Sequence, residues 1–241
     1  MNTGQLRWTY TCIALWFYLG WVIVFVLEGL LAQTLPTRDL TSSLDRTIPV
    51  VPQFVWFYVL CYVFPFVIIP LANDWHRFNI ALLSIVLCTL VAFVGHVSIP
   101  IAFPKPQLGD SFSEQLLSYI HSHDFRPGAQ NFPSLHVAIT WIIYFACLEQ
   151  GRKKLIEVVL LIIALLIMAS TVLIKQHLFI DLIGGTALAF LVWWITKKGY
   201  LRVNADSTSP LAALKSAARK MIPLLTMWMA VLAAVIGIQL L

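Results

Sequence analysis

Residues 155–174 read LIEVVLLIIALLIMASTVLI, a run in which Glu157 is the one charged side chain. A helix of about 20 apolar residues is long enough to cross the hydrocarbon core of a bilayer. The run continues directly into KQHLFID (175–181), where a lysine, a histidine and an aspartate stand close together. The stretch therefore predicts a transmembrane helix that leads into a cluster of reactive side chains.

Similar apolar stretches lie on both sides of this one, and together they predict an all-α, polytopic membrane helical bundle. We expect one integral-membrane catalytic domain over residues 1–241, with six core transmembrane helices within about 11–200 and a seventh, C-terminal helix at about 221–240. The first stretch lacks a small-residue cleavage site, which favours a retained span over a signal peptide. The predicted spans are 11–31, 54–72, 80–99, 134–148, 155–174, 182–196 and 221–240.

The composition excludes a soluble globular protein. Hydrophobic residues make up 60% of the chain, charged residues 11%, and the mean hydropathy is +0.85. Soluble domains carry about a quarter charged residues. The net charge of +5 could suit nucleic acid, but the Lys and Arg residues lie mostly in short segments between spans. We therefore expect no nucleic-acid partner.

The same basic residues predict the topology. If the spans alternate in direction, 11 of the 16 Lys and Arg residues fall on one side, together with the N-terminus. Basic loops are typical of the cytoplasmic side. We expect a multi-pass protein of the cell inner membrane with a cytoplasmic N-terminus. The histidines at 121, 123, 136 and 177 then lie on the extracytoplasmic side.

His177 and Asp181 form the first candidate pair. Their spacing of four residues puts them on one face of a helical turn, within reach of a hydrogen bond. A carboxylate that holds the Nδ1 proton leaves Nε2 with a lone pair for attack on phosphorus. The alternative is structural, since Asp181 precedes an apolar run and can cap the sixth helix. Both roles are compatible if the carboxylate divides its oxygens between the backbone and the ring.

The segment FPSLH (132–136) supplies a second candidate. It begins the fourth span, with Ser134 as the expected N-cap and His136 near the first turn. A helix N-terminus offers unpaired N–H groups and a partial positive charge, which suit a phosphate. His136 could then donate a proton to the leaving oxygen. The structural alternative for His136 is a polar residue at the membrane interface.

Two segments resemble a known family. FPSLHVA (132–138) and STVLIKQHLFIDLIGG (170–185) are similar to the second and third signature motifs of the type-2 phosphatidic acid phosphatase superfamily, P-S-G-H and S-R-x-x-x-x-x-H-x-x-x-D. The resemblance implies a membrane enzyme in which His177 becomes a phosphohistidine, Asp181 supports it and His136 is the general acid. We predict no cofactor and no required metal.

The chain departs from the family pattern at three positions. Leu135 replaces the glycine of P-S-G-H, and Thr171 replaces the arginine that follows Ser170. The first motif, K-x-x-x-x-x-x-R-P, is incomplete because Tyr119 stands in the place of its lysine, although Arg126-Pro127 remains. Some of the usual phosphate-binding cations are thus missing. As substrate phosphate-binding residues we predict Lys175, Arg126, Ser134 and Gln176.

The P-S-L-H variant and SLDRTIPVVP (43–52) are similar to the branch that contains inositol phosphorylceramide synthases. In that branch a phosphoryl headgroup passes to a lipid hydroxyl. The predicted function is that of an integral-membrane lipid-phosphate phosphatase or phosphotransferase, which acts on a membrane lipid phosphate or phospholipid through a phosphohistidine at the extracytoplasmic face. The first alternative is a headgroup phosphotransferase with an alcohol or lipid acceptor, and the second is a non-catalytic lipid-binding or transport protein.

Several other polar or aromatic residues have two interpretations. Asp45 and Arg46 could contact a headgroup at the outer vestibule or form an ion pair within their loop. Glu28 and His96, near the outer ends of the first and third spans, mark a possible site or extend their side chains outward. Tyr58 is grouped with the aromatic residues that anchor spans at the interface.

Overall fold

The protein is described by a computed structural model that covers residues 3–71, 74–124, 130–148, 153–204 and 206–239. In this part of the chain all regular elements are helical, and Arg38 and Ile101 form an isolated parallel β-bridge. The all-α membrane bundle predicted from sequence is confirmed. The helices are α1 (Thr3–Ala32), α2 (Ser43–Thr47), α3 (Val55–Leu60), α4 (Ile68–Leu71), α5 (Trp75–Ser98), α6 (Phe112–Ser122), α7 (Leu135–Leu148), α8 (Lys154–Leu173), α9 (Phe179–Asn204) and α10 (Pro210–Gln239).

Five of these helices, α1, α5, α8, α9 and α10, are long and apolar enough to cross a membrane. The predicted second span is instead a broken one, in which residues 52–60 and 64–71 meet at an angle of 42°. Pro65 lies just after the break, where a proline removes a backbone N–H and collides with the preceding turn. The fourth span, α7, has only 14 residues.

The segment between the predicted sixth and seventh spans, residues 197–220, is largely helical. α9 continues to Asn204, and α10 begins at Pro210, a residue suited to the first turn of a helix because its missing N–H needs no partner there. Basic side chains can lie along the apolar surface at such helix ends, as Lys198 does with its ammonium 4.0 Å from the ring centre of Trp194. The spans therefore extend beyond their most apolar residues.

Two ends of the bundle can be defined from the helix directions. α1, α5, α8 and α10 finish at one end, where α7 and α9 begin, and we call this the site end. The opposite end, where α5, α8 and α10 begin, carries most of the Lys and Arg residues and is called the basic end. A network at the basic end joins α1, α5 and α9, because Asn79 contacts the hydroxyls of Tyr10 (3.0 Å) and Tyr200 (2.9 Å).

α7 lies at the centre of the bundle, in contact with α5, α8 and α9. α9 approaches the residue before α7 closely at the site end. A Cβ atom added to Gly185 of α9 would lie 2.4 Å from the carbonyl oxygen of Ser134, a distance that real side chains do not tolerate. The paired glycines at 184–185 therefore let α9 reach the backbone that precedes α7.

We predict that Gly185→Ala destabilises the protein, with a cost of about 1–3 kcal/mol for forced overpacking. Gly199→Ala is the matched control in the same helix, because nothing lies within 4 Å of its added Cβ. Alanine there should be neutral or stabilising by up to about 1 kcal/mol. Thermal unfolding of the two variants in detergent measures the difference, and equal melting temperatures would contradict the prediction.

Candidate active site

A tight turn between α8 and α9 presents His177. The carbonyl oxygen of Thr171 accepts hydrogen bonds from the backbone N–H groups of both Gln176 and His177, each at 2.9 Å. Lys175, directly before these two residues, has φ 57°, the left-handed conformation that a non-glycine residue adopts rarely. The chain thus reverses within four residues after α8, and the His177 ring is buried below the turn.

Asp181 supports both the turn and the ring. Its Oδ2 accepts a hydrogen bond from the Leu178 backbone N–H at 2.9 Å and lies 3.4 Å from His177 Nδ1, which is long for a hydrogen bond. A single carboxylate oxygen therefore faces both the backbone and the ring, so the structural and the supporting role of Asp181 do not need separate oxygens. Oδ1 is buried without a hydrogen-bond partner in the described part of the chain.

Ser134 joins the start of α7 to His177. Its backbone N–H donates to the carbonyl oxygen of Asp181 at 3.3 Å, and its Oγ lies 3.2 Å from His177 Nε2. The same Oγ accepts a hydrogen bond from the Val137 N–H at 3.4 Å, the geometry of an N-cap. The first turn of α7 is thereby fixed against the ring of His177.

The two histidines lie next to each other. His136 Nδ1 is 3.1 Å from His177 Nε2. The Asp181 carboxylate faces Nδ1 of His177, which favours the tautomer with its hydrogen on Nδ1; the Nε2 lone pair then faces Ser134 and His136. The two motifs, 41 residues apart in sequence, thus meet at one nitrogen atom.

Tyr58 completes the site, and sequence reasoning missed it. Its hydroxyl lies 3.2 Å from His136 Nε2, and its side chain is fully buried, so it is not an interfacial anchor. A hydroxyl both donates and accepts. It can donate to neutral His136 and accept from the protonated ring, so it holds the imidazole in place in either state. An aromatic residue near a span end gives no sequence signal for this contact.

Lys175 does not face the histidines. Its ammonium donates to the carbonyl oxygens of Asp45 (2.6 Å) and Ile48 (2.7 Å), which ties the turn to the loop before the second span. Burial lowers the pKa of Lys175, and the neighbouring Asp45 opposes this shift. In this geometry Lys175 holds the turn, and its role as a phosphate-binding residue stays a prediction.

The Asp45 side chain also accepts hydrogen bonds from backbone N–H groups. Its Oδ1 accepts a hydrogen bond from the Phe179 N–H at 2.7 Å, at the start of α9, and its Oδ2 accepts from Ser42. Burial would raise the pKa of Asp45, but the bonds from Ser42 and Phe179 outweigh it and lower the pKa. Asp45 and the exposed Arg46 both lie outside the lining of the cavity described below. Arg126 falls outside the described residues.

Lys105 is a cation that the sequence did not single out. Its ammonium donates to the carbonyl oxygen of Lys175 at 2.9 Å and lies 3.4 Å from Asp124 Oδ2. Burial lowers the pKa of Lys105 to about 8, against the opposing effect of Asp124. Asp124 in turn accepts from Gln176 Nε2 at 2.7 Å and 2.8 Å. Lys105 therefore neutralises Asp124, which is hydrogen-bonded to Gln176, the residue before His177.

A cavity of about 320 Å³ opens below these groups. Its polar lining includes His96, His136, His177, Asp124 and Gln176, all near the site end. The rest of the lining is mainly apolar and comes from the inner faces of α1, α5, α7 and the broken second span. Within the described residues, no group of three or more His, Cys, Asp or Glu side chains could hold a metal ion.

The comparison with protein families agrees with this geometry. The profile of the PAP2 superfamily matches residues 41–195, well over half of the chain. The chain belongs to the PAP2 superfamily. Membership supports a lipid phosphatase-like function. The chain matches no curated protein and no solved structure. The closer resemblance to the inositol phosphorylceramide synthase branch stays a prediction.

The ion pair of Lys105 with Asp124 predicts that activity depends on pH. Below a pH of about 8 it is protonated and offsets Asp124; above that pH the carboxylate is left uncompensated and repels an anionic substrate. We therefore expect kcat/KM to fall as pH rises through about 8. In Lys105→Arg the fall should move to higher pH, because arginine stays protonated. Superimposable pH profiles of kcat/KM for the two proteins would contradict this role.

Proposed function

We propose that this PAP2-superfamily chain is a lipid-phosphate phosphatase or phosphotransferase that works through a phosphohistidine on His177. The observation that carries the proposal is the meeting of the two histidines, with His136 Nδ1 3.1 Å from His177 Nε2 and Asp181 behind the second ring. Phosphoryl transfer to a protein nucleophile needs a lone pair aimed at phosphorus and an acid for the leaving oxygen. This arrangement offers both.

In the first step, His177 Nε2 attacks phosphorus while the bond from phosphorus to the leaving oxygen breaks. Protonated His136 gives its Nδ1 proton to that oxygen, while its Nε2–H continues to donate to the Tyr58 hydroxyl oxygen. In the second step, a water or alcohol oxygen attacks phosphorus and the nitrogen–phosphorus bond breaks. His136 takes the proton of the attacking group, which restores the starting state.

The cavity favours a substrate with a hydrocarbon tail. Its lining runs along α5 from His96 to Phe78. At about 1.5 Å per residue this is a depth of about 27 Å, close to the roughly 30 Å of a bilayer's hydrocarbon core. Trp21, Phe66 and Ile139 are among its apolar walls. A lipid phosphate could therefore place a tail inside the bundle while its phosphate lies at His177.

We also propose that the site end faces the extracytoplasmic side of the cell inner membrane. The support is the charge distribution, since most Lys and Arg residues lie at the basic end and basic segments are typically cytoplasmic. The N-terminus would then be cytoplasmic, and the lipid would enter from the outer leaflet.

Replacing the nucleophile tests the proposal. His177→Ala should abolish lipid-phosphate turnover, and His136→Ala should lower kcat by about 10²- to 10⁴-fold, because the leaving oxygen loses its acid. His76→Gln is the control, since His76 lies at the basic end in contact with the Tyr200 hydroxyl at 2.7 Å. Wild-type turnover in both site variants would leave a non-catalytic lipid-binding or transport role as the better account.

One observation favours an alcohol as the acceptor in place of water. Gln130, Asn131 and Gln176 line the cavity near the histidines, and Gln176 Oε1 is buried without a hydrogen-bond partner among the described residues. Uncharged amides of this kind suit the hydroxyls of a polyol headgroup or lipid alcohol. This arrangement supports the headgroup phosphotransferase alternative.

The two acceptors can be separated with purified enzyme and a phospholipid labelled in its headgroup phosphate. A phosphotransferase should release little phosphorylated headgroup in water alone and should form a new phosphodiester when a lipid alcohol is added. An enzyme that uses water should release the phosphorylated headgroup at the same rate with or without the alcohol. Gln176→Leu should lower transfer to the alcohol more than hydrolysis, and an equal effect on both reactions would contradict a role for Gln176 in binding the acceptor.

A further inference from the structure

The first helix reaches the site although it lies outside the family match. The profile match begins at residue 41, whereas α1 ends at Ala32. Most of α1 faces outward, and only 6% of the residues in its most apolar 18-residue stretch are buried. Near its end, however, Glu28 is fully buried and its Oε1 contacts Nδ1 of His96, which is fully buried on α5. Neither residue has a part in the mechanism above.

The protons of this pair follow from its partners. His96 Nε2 lies 3.1 Å from the carbonyl oxygen of Pro133. A carbonyl oxygen can only accept, so Nε2 carries a hydrogen. Nδ1 and Glu28 then share one further proton, either as imidazolium and carboxylate or as neutral imidazole and carboxylic acid. In both forms the pair is neutral overall and the bond to Pro133 is kept.

Pro133 is the residue directly before Ser134. The bond from His96 therefore holds the peptide group that leads into the Ser134 contact with His177 and the first turn of α7. The segment lies directly on α5, where a Cβ added to Gly95 would be 2.8 Å from the carbonyl oxygen of Phe132. A second bond links the same region to α1, from Gln130 Nε2 to the carbonyl oxygen of Phe25 at 2.9 Å.

We infer that Glu28 and His96 are positioning residues for the proposed phosphoryl transfer: through the Pro133 carbonyl they set where Ser134 and His136 stand relative to His177. The inference rests on the proposed function. It assigns α1 a part in catalysis, since the acid that orients His96 comes from a helix that the family profile does not include.

Stability alone does not account for such a pair. A buried ion or acid pair costs desolvation energy, and apolar residues of similar size often stabilise a protein as well or better. Glu28 Oε2 is, in addition, buried without a hydrogen-bond partner in the described part of the chain. What apolar side chains could not supply is a directed N–H donor for Pro133.

The main test is the double variant Glu28→Leu/His96→Leu. It leaves no buried charge, so it should fold with a melting temperature near that of the wild type. It removes the donor to Pro133, however, and a displacement of about 1 Å at a reacting group can cost about 10²-fold. We expect kcat to fall by up to that factor with KM changed less than about threefold. A folded double variant with wild-type kcat would overturn the inference.

Single variants separate positioning from proton transfer. Glu28→Gln should retain kcat within about threefold, because its amide N–H can donate to Nδ1 of neutral His96 while Nε2–H still binds Pro133. The shape of its pH profile should match that of the wild type. Glu28→Leu should lower kcat more than Glu28→Gln does. A shifted pH profile in Glu28→Gln would instead make Glu28 a proton donor and overturn a pure positioning role.

Tyr10→Phe is the matched control. It removes another buried polar contact between α1 and α5, the bond to Asn79, but at the basic end. It should lower stability without lowering kcat per folded molecule. If Tyr10→Phe reduced kcat as much as Glu28→Leu, the effect would come from loosened helix packing and the inference would fail. Turnover that survives His177→Ala would refute the proposed function itself, independently of these variants.

Discussion

Within an apolar bundle, a buried polar group can find a hydrogen-bond partner only inside the protein, because the surrounding hydrocarbon offers none. At the site end this constraint produces one connected set of contacts. Asp181 faces His177, His177 faces His136 and His136 faces the Tyr58 hydroxyl, at 3.4, 3.1 and 3.2 Å. The helices α3, α7 and α9 are held together there by the same atoms that can carry the chemistry.

The backbone at this end is arranged around that set. Small residues allow close approach, with Gly185 against the Ser134 carbonyl and Gly95 against Phe132. Lysines bind carbonyl oxygens in the turns: Lys175 holds the loop at Asp45, and Lys105 holds the turn at Lys175. The carbonyl oxygens of the turns thus find partners in the two lysines, and these bonds help to fix the positions of the two histidines. The apolar cavity begins directly below the histidines.

Much of this could be predicted from sequence, because long apolar runs and paired motifs are local signals. The spans, the helical bundle and the nearness of His136, His177 and Asp181 follow from them. The break just before Pro65 shows that the length of an apolar run does not predict whether its helix is continuous. The direction of Lys175, the Tyr58 contact and the pairing of Glu28 with His96 were beyond sequence reasoning. Each depends on which distant backbone atom or side chain packs against the residue, and no spacing along the chain records that.

The central claim is that the phosphoryl group passes through His177. The most direct measurement is to mix the purified protein with a long-chain lipid phosphate labelled on phosphorus, quench in alkali within one turnover, and locate the label by peptide mapping. The account predicts label on His177, absent in His177→Ala and increased when the second step is slowed. Steady turnover with no label on His177, or label on another residue, would contradict it.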